Sequence, residues 1–219
     1  MKPGVRQIAN RILAFAALQP RIIVALAGPP AAGKSYLSER LANELNRCED
    51  IATVVPMDGY HFDNAILEPR GLLALKGAPE TFDAEGLLSH LQRIRSGCGP
   101  VTVPVFDRPL DLARAGGRVV AAHHRIVLVE GNYLLLDRPP WRGLHGLFDL
   151  TLFLEVPDHL LETRLIQRWL ALGQDQAGAI DKARNKDMIN AALVKRESVA
   201  PDIHWVATTA APTTQPDTK

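Results

Sequence analysis

Eight residues, Gly28-Pro29-Pro30-Ala31-Ala32-Gly33-Lys34-Ser35, constrain this chain more than any other stretch. They fit the spacing G-x-x-x-x-G-K-[ST], and the flanks give that spacing its physical sense. The preceding run Ile22-Ile23-Val24-Ala25-Leu26-Ala27 has no polar residue, as a parallel strand buried on both faces requires. Beyond the loop Leu37, Leu41 and Leu45 recur four apart, which predicts a helix with one apolar stripe. Strand, glycine loop and helix together aim a row of backbone N–H groups and the positive end of a helix dipole at an anion. The expected ligand is the polyphosphate of a nucleotide such as ATP, cradled by residues 28–35 and the adjoining Tyr36. Lys34 is expected to set a point charge on its β- and γ-phosphates, and the Ser35 hydroxyl to ligate Mg²⁺.

The rest of the composition narrows the class. Lysine and arginine number 25 against 24 aspartates and glutamates, a net charge of +1, so no nucleic-acid partner is implied. Two cysteines, Cys48 and Cys98, have no metal-ligand spacing and fit a reducing, cytoplasmic setting. At the N-terminus Ile12-Leu13-Ala14-Phe15-Ala16-Ala17-Leu18 imitates a secretory segment. Gln19-Pro20-Arg21 stands where a small-residue cleavage site belongs, and the first strand begins at once. Residues 1–20 are therefore read as an amphipathic helix packed on the domain, 21–206 as the nucleotide-binding domain, and 207–219 as a disordered tail. No apolar run is long enough to insert in a membrane.

Further along, Ile51–Met57 reads as a second strand delivering Asp58-Gly59-Tyr60-His61. Ligands of open parallel sheets sit at the carboxyl ends of the strands, so Asp58 is expected beside the phosphate loop; a turn aspartate favoured by the neighbouring glycine is the alternative. Residues 62–82 form a long connection punctuated by Gly and Pro, the kind that covers a substrate. Asp83 caps a helix, Val101, Val103 and Val105 alternate as an edge strand marked by Pro104, and Gly116-Gly117 marks a turn. A third buried run, Ile126–Val129, ends in Glu130, where a single carboxylate can hold Mg²⁺. A fourth, Leu150–Val156, leads to a helix capped by Asp158. On it Arg164 and Arg168 share one face, before a glycine-bounded polar segment that predicts a helical lid at about 168–180. Arg168 is expected to close over the transferring phosphate, with helix-dipole compensation as the alternative reading. Asn185-Lys186-Asp187 comes close to the guanine-reading motif of a nucleotide switch, but its aspartate is one residue early, and it is taken as a solvated helical face.

The motifs GPPAAGKS, MDGYH, the stretch from Asn64 to Gly97, and LVEGNYLLL resemble, over residues 20–206, the uridine kinase, phosphoribulokinase and pantothenate kinase branch of P-loop kinases. The segment LVEGNYLLLDRPPW with VPDHLLETRLIQRW is most similar to a subgroup often labelled fructose-transport-system kinases. The resemblance implies an α/β P-loop fold, a parallel sheet with helices on both faces and a small helical lid. It implies ATP and Mg²⁺ as cofactors, and phosphoryl transfer to a hydroxyl of a small molecule such as a sugar. Nucleoside or pantothenate-type acceptors and a regulatory nucleotide switch remain as alternatives. Asp58 matches the family's base, Glu130 its metal carboxylate and Arg168 a lid arginine, while His61 and Arg108 lie where acceptors are contacted. Phe106 stands where relatives often carry a tyrosine, so a hydroxyl contact is missing there. Relatives are often dimers, which leaves a homodimer open.

Overall fold

The computed structural model describes residues 4–206. Its elements run α1 (Val5–Ala16), β1 (Ile22–Ala27), α2 (Lys34–Leu45), β2 (Ala52–Pro56), α3 (Asn64–Leu67), α4 (Ala84–Ser96), β3 (Val101–Asp107) and β4 (Leu112–Val120). They continue with β5 (Ile126–Gly131), β6 (Leu150–Glu155), α5 (Asp158–Ala171), α6 (Gln176–Lys182), α7 (Met188–Glu197) and β7 (Ile203–Val206). Five strands form one sheet in the order β2-β5-β1-β6-β7, and every neighbouring pair is parallel. The uninterrupted apolar runs are explained by this arrangement, since helices cover both faces. Along β1, Ile22, Val24 and Leu26 pack towards α1, α2 and α5, whereas Ile23, Ala25 and Ala27 pack towards α4 and Trp141. α1 lies on α2 with Ile8, Ala9, Ile12 and Ala16 buried. None of the helices among the described residues is long and apolar enough to cross a membrane.

The sheet order makes β1 the point where connections leave in opposite directions, first towards β2 and later towards β6. That is where an open α/β sheet leaves a crevice at its carboxyl edge. β1 pairs with β5 from Ile22↔Ile126 to Ala27↔Gly131, and β5 pairs with β2 up to Pro56↔Glu130. The phosphate loop, Glu130 and the residues just beyond β2 therefore emerge at one level.

Several local expectations differ from the structure. β3 is not an edge of the main sheet; it pairs antiparallel with β4 as a separate two-stranded ribbon. Gly116-Gly117 is not its turn but lies inside β4, and the chain reverses at 108–111 instead. Residues 62–82 are not featureless, containing α3 and two short 3₁₀ turns. Asp83 does cap α4, accepting from the Gly86 amide at 2.8 Å. Asp158 does not cap α5; Pro157 holds that position and Asp158 pairs with Lys195 at 2.5 Å. Lys186 and Asp187 are half-buried in a π-helical turn, with Asp187 accepting from the Trp169 indole at 2.7 Å, so this is no simple solvated face. The interval 168–180 comprises the end of α5, a turn with Gly173 at φ 84°, and most of α6. The stretch 207–219, expected as a tail, lies outside the described residues, as do residues 1–3.

Candidate active site

The loop between β1 and α2 wraps round its own lysine. Gly33 at φ 96° turns the chain into α2, which begins at Lys34. The Lys34 ammonium is only 7% exposed and donates to the Pro29 carbonyl at 2.9 Å and to Asn132 Oδ1 at 2.6 Å. Burial pulls its pKa down to about 8, against the opposing pull of Glu130 and Asp58. Next to it Ser35 Oγ donates to Glu130 Oε1 at 3.0 Å. Burial, then the nearby Asp58 charge, push the Glu130 carboxyl above its ordinary value, more than Lys34 and the Ser35 hydroxyl pull it down.

Asp58 lies in a 3₁₀ turn, Met57–Tyr60, just past β2. Its glycine neighbour serves close approach rather than turning: a Cβ on Gly59 would run into the Pro104 carbonyl, so only glycine lets β3 pack here. Asp58 Oδ2 accepts from Arg108 Nη2 at 2.7 Å. Burial works to raise the Asp58 carboxyl, but Arg108, His61, Arg168 and Lys34 outweigh it and hold it below the usual carboxylate value. His61 contacts the Asp58 carbonyl oxygen through Nδ1 at 2.8 Å, so that nitrogen carries a proton. Its ring lies between Phe82 and Phe106, at centroid distances of 4.0 and 4.5 Å, and burial lowers its pKa. Asp58, Ser35, Glu130 and Arg108 all line one cleft.

The two arginines that α5 carries on one face make different contacts. Arg164 reaches the phosphate loop, donating to the carbonyls of Ala31 at 3.1 Å and Ala32 at 3.4 Å. Arg168 is exposed and makes no hydrogen bond or ion pair among the described residues, though its charge is felt by both Lys34 and Asp58. Asn132 escaped the sequence reading as a site residue; its signal was its place two residues after Glu130. Lys76 escaped as well. It donates to Asn64 Oδ1 at 2.7 Å and to the Asp111 carbonyl at 2.6 Å, and pairs with Asp111 Oδ2 at 2.9 Å. It thereby ties the 62–82 connection to the tip of the β3–β4 ribbon.

No protein-family model matches the chain. A Schizosaccharomyces pombe protein provisionally named a uridine kinase is 32% identical over 206 residues, spanning 90% of this chain and 88% of its own. The chain belongs to the uridine kinase, phosphoribulokinase and pantothenate kinase family of P-loop kinases. A crystal structure from Silicibacter sp. TM1040, provisionally named a fructose transport system kinase, superposes on this kinase with a TM-score of 0.85. It is 43% identical, over 92% of this chain and 98% of that one. The pantothenate kinase of Clavibacter sepedonicus is 31% identical over 184 residues, and the match spans 81% of this chain but 56% of the relative's length. The family fixes the reaction type, phosphoryl transfer to a small-molecule hydroxyl.

Proposed function

We propose that this kinase transfers the γ-phosphoryl group of ATP to a hydroxyl of a sugar such as fructose, with Asp58 as the base. One arrangement supports the reading: a carboxylate that stays ionised faces the phosphate-loop side of a cleft also lined by Ser35 and Glu130. The acceptor oxygen attacks the γ-phosphorus, the bond to the β-bridging oxygen breaks, ADP leaves, and the hydroxyl proton passes to Asp58. The transition state is loose, so the alcohol turns acidic only late and a base of low pKa suffices. Lys34, Arg164 and Arg168 offset charge on the phosphates, and His61 and Arg108 position the acceptor and its base. Magnesium fits the donor set here, because Ser35 Oγ and Glu130 Oε1 are hard oxygen donors 3.0 Å apart. When bound it neutralises charge on the β- and γ-oxygens.

The sugar assignment draws on the Silicibacter relative's name and on its 43% identity. An ATP-consumption screen over sugars, nucleosides and pantothenate-type alcohols tests it, with Asp58→Ala as control. The expected result is turnover with a sugar, lowered by about 10² or more in Asp58→Ala while ATP affinity is kept. Turnover confined to nucleosides or pantothenate would reassign the acceptor, and near-normal turnover in Asp58→Ala would remove Asp58 from the base role.

A further inference from the structure

Just past β5, Asn132 and Tyr133 stand between the phosphate loop and the 62–82 connection. On one side Asn132 Oδ1 accepts from the Lys34 ammonium at 2.6 Å. On the other the hydroxyl of Tyr133, a fully buried residue, donates to the Gly77 carbonyl at 2.5 Å. Gly77 follows Lys76, whose ammonium grips the tip of the β3–β4 ribbon at Asp111.

Donor and acceptor chemistry decides how the two neighbours meet. An ammonium only donates, so the end of the Asn132 amide that faces Lys34 is its oxygen, and the NH₂ end is left to donate. The Tyr133 proton is committed to Gly77, so the phenol oxygen can only accept. Burial, then the Glu80, Asp58 and Asp187 charges, push the Tyr133 phenol up, while a hydrogen bond from the Asn132 side chain pulls against them. Lys34, Asn132, Tyr133 and Gly77 thus form one chain of donors and acceptors, the direction of each bond set by the one before.

The first member of that chain changes its surroundings when a nucleotide binds. Lys34 has three protons, and the protein takes two of them, through the Pro29 carbonyl at 2.9 Å and through Asn132. The third is left for an anion. A phosphate oxygen that takes it fixes the ammonium, and with it the amide on which the Tyr133–Gly77 bond leans. The first ligand then orders the connection, and the second need not order it again.

We infer that Asn132 is a positioning residue that couples the two substrate sites: through Tyr133 it lets a nucleotide held at Lys34 order the 62–82 connection on the acceptor side. The inference rests on the nucleotide-binding part of the kinase reading and goes beyond it. Hydrogen exchange of the full chain, with and without a saturating nonhydrolysable ATP analogue and Mg²⁺, tests it. In the wild type the analogue is expected to slow exchange across 72–82 by about fivefold or more, alongside protection of the phosphate loop and α2. Asn132→Ala removes both of its bonds; Tyr133→Phe removes one oxygen and keeps the ring that packs on Phe82 and Trp141. In each variant the effect across 72–82 is expected to shrink to less than about 1.5-fold, while the phosphate loop and α2 stay protected. A merely structural role would speed exchange with and without the analogue alike and leave their ratio unchanged. Exchange across 72–82 that ignores the analogue in the wild type, or that slows as much in either variant as in the wild type, overturns the inference. The measurement contains no acceptor, so that outcome is distinct from a failure of the sugar assignment. An analogue that protects neither segment would count against both the coupling and the kinase reading.

Discussion

At the scale of single residues, the site is a balance between burial and mutual charge. Lys34 sits where solvation is lost and only part of the loss is returned by Glu130 and Asp58, hence a pKa of about 8 against an ordinary 10.5. A bound polyphosphate supplies the missing negative charge and holds the lysine protonated. At about pH 9 the free site is largely neutral, so ATP binding must take up a proton, and affinity should fall towards about tenfold per pH unit above that pKa. Calorimetry in two buffers of different ionisation heat checks this, and a binding enthalpy that ignores the buffer at that pH would contradict it. That Lys34, Ser35, Asp58 and Glu130 lie close together was legible in sequence, because each stands at a fixed offset from a buried run. The bonds that Asn132 and Lys76 make were not, since the Asn132 side-chain oxygen accepts from Lys34 and Lys76 donates to the Asp111 carbonyl, partners 98 and 35 residues away that no local pattern encodes.

At the scale of elements, the proposed acceptor side is built from two pieces that could each stray alone. The 62–82 connection is long, and the β3–β4 ribbon projects beside the main sheet with exposed residues along most of β4. Lys76 joins them with a side chain only 10% exposed, and Tyr133 pins the same connection through its hydroxyl to the Gly77 carbonyl at 2.5 Å. Replacing Lys76 with methionine removes charged hydrogen bonds of about 1.5–3 kcal/mol each, offset by the ease with which exposed Asp111 turns to water. The expected result is an acceptor KM raised about tenfold with the KM for ATP within about twofold, measured by steady-state kinetics. Equal changes in both would mean that the tie supports the whole site. The ribbon also shows where pattern reading stops. Alternation identified β3 as a strand, but Pro104 and the glycine pair were taken as an edge marker and a turn, when they face each other across a bulge.

At the scale of the whole molecule, the apolar runs announced a doubly covered parallel sheet, and the sheet is there; its strand order was not legible. Strands buried on both faces carry no mark of their neighbours, and the order follows only from how crossovers pack back on the sheet. That order brings α2, α5 and β5 together at the phosphate loop, where Arg164 holds the Ala31 and Ala32 carbonyls and Lys34 holds Asn132. A nucleotide bound there touches elements from both sides of the sheet, so its binding energy is added to global unfolding rather than to one loop. At about 100 times its Kd, a nonhydrolysable ATP analogue with Mg²⁺ adds about 2.7 kcal/mol. For a chain of 219 residues that is a rise in Tm of about 5–10 °C. Differential scanning calorimetry should find one transition that moves as a unit. Lys34→Ala should lose the shift, and Asp58→Ala should keep it, because in the proposed mechanism Asp58 meets the acceptor and not the nucleotide. A melt that splits in two, with only one part responding to the analogue, would mean that the loop is energetically separate from the sheet that carries it.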